Sequence, residues 1–497
     1  MGGGARRPLP DPAAAGQRMS HQSRQRALGD IFGDNLILDD QKQLARYGVD
    51  QVGDQAYART PLAVVFPTTT AQVAALMRWA NQSATPVTPR GGGSGLAGAA
   101  IPAAGGVVCS FERMNRIIEI DTQNLMVVVE PGVVTSRLDD ELEPHGLFFA
   151  GYPMSEDICC IGGNVAENAG GGRAVKYGTT AAYVLGAEVV TPTGEVLQLG
   201  GKRLKDVTGY SLLQLMIGSE GTLGLFTRLV IRVVPRPAAR AVLFCAFPDS
   251  AGACTGVAEL KRSRALSSIE FIDGQTARRT NEGLPSAQRT ALPEQADAFL
   301  LVELDGADET EVARESDAAR RVIETAGGTL VLTGTDQPSM ERAWKLRKAV
   351  PWWTKRIAGS YHSLEDVVVP PAAIPALVVF CEHLRSEYRV PIAVFGHAGD
   401  GNFHITPMKP AAMAPEEWST TIDRLLRELY GHVADLGGTI SGEHGIGRKR
   451  TGYLSLALGN QEIALMRTIK RALDPNNVLN PGVALPNASL DGESHVG

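Results

Sequence analysis

The sequence predicts an α+β protein of two or three domains, and three observations carry that expectation. At 497 residues the chain is longer than one hydrophobic core usually serves. From residue 238 the apolar patterning alternates between periods of two and 3.6 in the order βαβ, then βαβ, which is the ferredoxin-like arrangement. The 55 glycines gather in clusters without a fixed period, which excludes collagen-like and repeat architectures and points to backbone that approaches something closely. The expected layout is a tail and helical segment over 1–58, a first domain over 59–237, and a second over 238–440. A closing segment over 441–484 and a tail over 485–497 follow.

The first domain opens with a strand at Val64–Phe66. Thr70 then caps a helix whose Val73, Leu76, Met77 and Ala80 share one face. Strands follow at Val107–Phe111, Arg116–Ile120 and Met126–Glu130, the last two joined by a turn at Asp121–Asn124. Val184–Val190 and Glu195–Leu199 form a hairpin, and Phe226–Val234 is a further apolar strand. In the second domain, strands at Val242–Phe247, Ser268–Ile272, Phe299–Leu304 and Thr329–Thr333 alternate with helices at Ala251–Arg262 and Glu309–Ala326. A helix at Met340–Val350, a strand at Asp366–Val369 and helices at Ile374–Arg385 and Glu462–Leu473 complete the reading.

Composition excludes several classes. A net charge of −6 without a long basic run argues against nucleic acid as a partner. The longest apolar runs, such as Ile374–Phe380, are too short to span a membrane. The first eighteen residues lack an apolar core, so they read as a disordered tail or as sequence upstream of a start at Met19, not as a signal peptide. The six cysteines form no Cys-x-x-Cys pair; reduced thiols in a cytoplasmic protein are the simplest reading, with Cys159 and Cys160 as small buried residues of a tight loop.

Arg90–Gly98 contains Gly93-x-Gly95-x-x-Gly98, but Pro102 and the small residues around it cannot continue the helix that a dinucleotide-binding βαβ unit requires. Successive N–H groups over Gly91–Gly95, with the Ser94 hydroxyl, instead form a nest for a pyrophosphate; a plain surface loop is the other reading. Two further clusters weigh against that loop. Ile161–Gly178 is rich in glycine and amides and lets backbone lie flat against a planar ring, and Ile217–Gly224 has the same character.

These three segments, Pro89-Arg-Gly-Gly-Gly-Ser-Gly95, Gly162-Gly-Asn-Val-Ala-Glu-Asn-Ala-Gly-Gly171 and Gly218-Ser-Glu-Gly-Thr-Leu-Gly224, resemble the FAD-binding domain of the vanillyl-alcohol oxidase superfamily. The resemblance is greatest to its D-lactate, glycolate and D-2-hydroxyglutarate dehydrogenase branch and runs from about Arg59 to Gly482. It implies a PCMH-type FAD-binding domain of two α+β subdomains, a ferredoxin-like cap over the substrate, and a C-terminal helical segment that returns to the flavin. It implies FAD contacts at Arg90, Gly91, Gly92, Gly93, Ser94, Gly95, Pro131, Gly132, Gly162, Gly163, Asn164, Tyr177, Gly178, Glu220, Gly221, Thr222, Leu223, Gly224 and Asn480. Members that attach FAD covalently do so through a histidine in the first loop. None lies between His21 and His145, so the flavin is expected to be non-covalent. Gly171-Gly172-Arg173 stands where the family often has Gly-Gly-Pro-Arg.

His397-Ala-Gly-Asp-Gly-Asn-Phe-His404 is legible from geometry. Asp400-Gly401 is a two-residue turn signal, which sets His397 opposite His404 with Cβ atoms about 4.5–5.5 Å apart, close enough to share one metal. Two histidines on a structural hairpin are the alternative. Glu443-His444 on a second glycine-rich turn favours the metal, since two histidines and a carboxylate make an open catalytic site. The resemblance implies His397, His404 and Glu443 as ligands of zinc or manganese, His444 as base and Asn402 as a substrate contact. Arg347, in Trp344-x-x-Arg347, suits bidentate carboxylate binding; a solvated arginine between Lys345 and Lys348 is the other reading. Trp352 and Trp353 read as packing residues that could wall a substrate pocket, and His21, His145, His362, His383, His432 and His495 have no partner pattern.

The expected activity is oxidation of a small D-2-hydroxy acid to the 2-oxo acid, with hydride transfer to the flavin. No lysine stands within Tyr361–Asp366, where members preferring D-2-hydroxyglutarate tend to have one, so D-lactate or glycolate is favoured; Lys355 and Arg356 keep a dicarboxylate open. A flavin-free metal-dependent hydrolase is the rival from another class. The electron acceptor (quinone, cytochrome or electron-transfer flavoprotein), homodimerisation and peripheral membrane contact stay open.

Overall fold

In a computed structural model, residues 21–486 are described apart from 104 and 360. The terminal tails expected over 1–18 and beyond 486, and His495, lie outside the described residues.

Two large sheets and a short pair, Leu147–Phe148 with Val234–Pro235, build the first half. One has four strands in the order Leu36–Ile37, Ala63–Val65, Val107–Ser110, Val87–Arg90, the last three parallel. The other has five antiparallel strands in the order Ile117–Asp121, Met126–Val129, Leu225–Arg232, Val184–Val190, Val196–Gly200. Leu36–Ile37 and Val87–Arg90 go unread in the sequence; the other strands occur where the patterning places them, within two or three residues. The helix over Thr70–Ser83 is capped by Thr69, whose side chain accepts from Gln72 N; the expected cap Thr70 instead donates to Glu188 at 2.6 Å.

The second half is one seven-stranded sheet. Strands Ala239–Phe247, Leu266–Asp273, Ala298–Gly306 and Thr329–Gly334 run in the spatial order fourth, first, third, second, as the βαβ-βαβ reading expects. Beyond Leu266–Asp273 the sheet continues through Ile392–His397, Asn402–Pro407 and Glu365–Val368. One face of this extension carries Val367, Val394, Phe403 and Ile405 into a core with Leu377, Leu425 and Leu429. The alternate residues face the first half of the molecule.

Several further elements depart from the sequence reading, among them these. Ile161–Glu167 is a short helix, ended by Asn168 at φ +52°, where backbone lying flat against a planar ring was expected. The helix read as Met340–Val350 runs from Gln337 to Ala358 and carries Pro351 inside it. An interior proline gives up one i→i−4 hydrogen bond; the helix continues through it, with Leu346, Val350 and Trp353 packed in the core on either side. A 21-residue helix, Pro415–Asp435, goes unread in the sequence. The C-terminal segment returns to the first sheet: Leu479 pairs in parallel with Val87, and Asn480 N donates to Val87 O at 2.8 Å. All six cysteines are unpaired and buried, and no helix among the described residues is long and apolar enough to cross a membrane.

Candidate active site

The site grows from one face of the sheet extension. Strand pairing sets Glu270 opposite His397, His397 opposite Asn402, and Asn402 opposite Val368. One row further along, Phe395, His404 and Asp366 stand side by side. The hairpin register therefore differs from the expected one: His397 faces Asn402, not His404. A two-residue type I′ turn needs positive φ at both central residues. Gly401 has φ +85°, Asp400 does not, and the connection takes four residues. The slip is of two residues, so it preserves the face on which each side chain points. His397 and His404 remain neighbours on a diagonal, with ring centroids 5.2 Å apart.

The turn Ser441–Gly447 lies across this face. Glu443 Oε1 is 3.3 Å from His397 Nε2, 3.5 Å from His404 Nε2 and 3.8 Å from His444 Nε2. The rings of His404 and His444 stack 5.1 Å apart and nearly parallel. Three imidazole nitrogens thus converge on one carboxylate oxygen. Ligand atoms of Asp366, His404, Glu443 and His444 also lie within 4.8 Å of one another. Asp366, however, is already engaged on both oxygens. Its Oδ2 accepts from Ser441 Oγ and from the backbone N–H of Gly442, Glu443 and His444 at 2.7–2.9 Å, and its Oδ1 accepts from Asn402 Nδ2 at 2.7 Å. That fits a carboxylate that aims the ligands, not one that binds the ion.

Glu270 plays the matching part on the other flank. It is wholly buried, accepts from His397 Nδ1 and Arg347 Nε at 2.7 Å each, and receives Ser268 Oγ at 3.1 Å. Burial raises its carboxyl, but His397 and Arg347 outweigh this and hold it down at about 2. Burial pushes His404 down to about 3, helped by His444, and His444 down to about 4. Both are neutral near pH 7. His397 is pushed down by burial, but Glu270 and Glu443 overcome this and hold its proton well above the usual range. An ion bound there would displace that proton.

Arg347 is 2% exposed, not solvated as a helix arginine among lysines would be. Its Nε is fixed by Glu270 and its guanidinium lies 4.9 Å from the Phe395 ring centre. Among the described residues the terminal nitrogens make no hydrogen bond, so they are free for a carboxylate.

A single cavity of about 530 Å³ joins this cluster to the glycine loops. Of the residues expected at the flavin, Arg90–Gly95, Pro131, Gly162, Gly163, Asn164, Glu220, Gly221, Gly224 and Asn480 line it, as do Arg347, His397, His404, Glu443 and His444. The remaining expected contacts stand behind the wall. Tyr177 donates its hydroxyl to Asp305 at 2.8 Å, and Gly178 ends the short helix before it. Gly132 packs against the Phe111 carbonyl, Thr222 donates to Ser219 O, and Leu223 belongs to the hydrophobic core. Asn402, expected to touch substrate, is turned away: its amide donates to Asp366 and to Val367 O. Asn480 lines the cavity yet spends its amide on Ala99 O and Glu220 O, so it also pins three segments together.

Sequence reading missed Glu270 and Asp366, although an acid inside an apolar strand run was a usable signal. It also set aside His362, Cys159 and Cys160, all of which line the cavity. Trp352 walls the cavity and is 70% exposed, while Trp353 is packed inside. Part of the second glycine cluster serves the acids. A Cβ on Gly172 would lie 2.5 Å from Glu270 Oε1 and 3.2 Å from Ser268 Oγ. Gly172→Ala is expected to cost about 1–3 kcal/mol through overpacking, read as a lower denaturation midpoint. Beside it Arg173 pairs with Glu303 at 3.2 Å and donates to the Tyr152 hydroxyl at 3.1 Å, tying the two halves together.

Comparison with known proteins agrees with this architecture. Residues 61–200 match the FAD binding domain family, and residues 236–484 match the C-terminal domain of FAD linked oxidases. Glycolate oxidase subunit GlcD of Bacillus subtilis is 34% identical over 427 residues, covering 86% of this chain and 89% of that protein. A D-lactate dehydrogenase of Archaeoglobus fulgidus is 35% identical over 84% of this chain and 90% of its own length. A D-2-hydroxyglutarate dehydrogenase of Stutzerimonas stutzeri is 32% identical over 90% of this chain and 95% of its own. Among solved structures, p-cresol methylhydroxylase with substrate bound superposes with a TM-score of 0.75 at 19% identity, over 96% of this chain and 98% of that one. Alkyldihydroxyacetonephosphate synthase does so with a TM-score of 0.72 at 18% identity, over 93% and 85%. These two share the fold. The chain belongs to the FAD-linked oxidase family, as an oxidoreductase of the D-lactate, glycolate and D-2-hydroxyglutarate dehydrogenase type.

Proposed function

We propose that the protein oxidises a small D-2-hydroxy acid, of the D-lactate or glycolate kind, to its 2-oxo acid. The observation that carries this is the one cavity whose lining runs from the Arg90–Gly95 loop to the convergent nitrogens of His397, His404 and His444. A flavin-free hydrolase has no use for the glycine-lined half. The chemistry of the donors fits a divalent ion of the zinc or manganese kind: two neutral or neutralisable imidazoles and a carboxylate, backed by Glu270 and Asp366. His397, His404 and Glu443 would hold it, and the glycine loops would hold FAD without a covalent bond.

When bound, the flavin supplies the two-electron acceptor and the ion a positive charge beside the substrate hydroxyl. The protein's share is placement. Arg347 takes the substrate carboxylate on its two terminal nitrogens, its plane fixed by Glu270 and Phe395. Neutral His444 accepts the hydroxyl proton at Nε2. Asp366 holds the His444 backbone so that this nitrogen faces the cavity. Pro351, Trp352 and Phe395 wall the cavity beside Arg347.

Anaerobic mixing with a panel of D- and L-2-hydroxy acids tests the reading, with bleaching of the flavin as the signal. D-lactate or glycolate should bleach it and the L-acids should not; no bleaching by any of them overturns it. A second reading rests on Lys355, which lines the cavity and whose Nζ, among the described residues, donates only to the neutral Gln51 amide at 3.0 Å. It would suit a second carboxylate, so D-2-hydroxyglutarate belongs in the panel. Removal of metal by a chelator is expected to lower turnover at least tenfold, with recovery on adding zinc or manganese; turnover indifferent to the chelator would remove the ion from the reaction.

A further inference from the structure

One acid in the cavity wall is used by nothing described so far. Glu167 is the last residue of the helix Ile161–Glu167, and its carboxyl makes no hydrogen bond among the described residues. Its Oε2 is buried, and the residue lines the cavity beside Gly163, Asn164 and His444. An unsatisfied buried carboxyl normally costs free energy, which a bound group could return.

Its surroundings favour the acid form. The C-terminal end of a helix repels a negative charge. Glu220 stands next to it, since a Cβ on Gly445 would overlap Glu167 Oε2 and also touch the Glu220 carboxyl. Burial raises the Glu220 carboxyl too, but its oxygens accept from Ile446 N at 2.9 Å and Gly447 N at 2.6 Å, so of the two it is the better placed to carry the negative charge. Asp50 adds a second negative neighbour. The nearby cation Arg450 is already spent on Glu365 and on the carbonyls of Leu364 and Gly445. Burial, then Glu220 and Asp50, push the Glu167 carboxyl well above the usual range. The result is a carboxyl in the cavity wall favoured as an O–H donor, with no acceptor among the described residues.

We propose that Glu167 donates a hydrogen bond to the ring of the bound flavin, a contact that strengthens as the ring gains negative charge on reduction and so raises its reduction potential. The acceptor class is a ring carbonyl or ring nitrogen, the atoms on which the added charge collects. This rests on the flavin reading above. It gives Glu167 a positioning and tuning part, separate from the proton transfer assigned to His444.

The test compares the purified, flavin-loaded wild type with Glu167→Gln and Glu167→Met, each equilibrated anaerobically against dyes of known potential. Methionine keeps the bulk and loses the donor. It should weaken the reduction equilibrium at least tenfold, about 30 mV for a two-electron couple, and shift the flavin absorption bands. Glutamine still donates through its amide and should move the potential by less than half as much. Should Glu167→Met not retain flavin, Glu167→Asp replaces it, since the donor is withdrawn by one methylene and the potential should still fall. A wild-type potential and spectrum in the variant without the donor overturns the inference, as does a rise in potential, which would mean that Glu167 is ionised. A wild type that binds no flavin overturns the proposed function as well, whereas bound flavin with an unmoved potential overturns this inference alone.

Discussion

His444→Asn is expected to retain flavin and to lose reduction by substrate, with kcat/KM down about 10²–10⁴-fold, the usual worth of a positioned base. The imidazole is held on three sides. It stacks on His404, its Nε2 is 3.8 Å from Glu443, and its Nδ1 is 3.9 Å from Asp366. Burial pushes it down to about 4, so it is neutral and able to accept a proton from pH 5 upward. Asparagine fills part of the same space but cannot take the proton. The pH profile follows in sign: protonating His444 removes the base, so kcat/KM should fall as pH drops toward that value and stay level with respect to this group at neutral pH. Anaerobic single-turnover bleaching measures the rate, and the flavin absorption of the purified variant reports binding. Wild-type bleaching in His444→Asn would take the residue out of the reaction.

The second large effect belongs to Asp366→Ala. Its carboxylate is wholly buried and gathers four donors from Ser441–His444 on one oxygen and Asn402 on the other. Removing it strands three consecutive N–H groups and releases the turn that carries Glu443 and His444. A loss of about 3–5 kcal/mol is expected, as for breaking a buried charge from its partners. Metal affinity should fall about 10–100-fold. Asp366→Asn keeps one accepting oxygen and should lie between. Burial raises the Asp366 carboxyl, but His444, His404, Arg450 and the Asn402 amide outweigh it and hold it far below the ordinary aspartate value of about 3.9. A carboxyl lowered in the folded state contributes stability that is complete above the unfolded value and is lost as pH falls through the folded one. The wild-type contribution is therefore full at pH 7 and fades only in strong acid; Asp366→Ala should lose less than the wild type on acidification. Denaturant unfolding at pH 7 and at pH 3, with metal content by elemental analysis, decides it. An unchanged midpoint would mean that Asp366 organises nothing.

What the sequence determined by itself was local: the glycine clusters, the two histidine turns, Arg347 in its Trp-x-x-Arg, and most strands and helices. Each is written in consecutive residues, because φ freedom, turn chemistry and hydrophobic period are short-range properties. Even the misjudged hairpin kept its histidines on one face, since a slip of two residues leaves alternation intact. Tertiary structure alone decided who stands beside whom. Glu270 meets His397 from 127 positions away, and Asp366 meets the His444 turn from 78. An acid inside an apolar strand run signals that a polar partner awaits it, but nothing in Leu266–Asp273 or Glu365–Val368 names the imidazole it will face. That follows from strand order and register, which are fixed by burial of the opposite face against Leu377, Leu425 and Leu429.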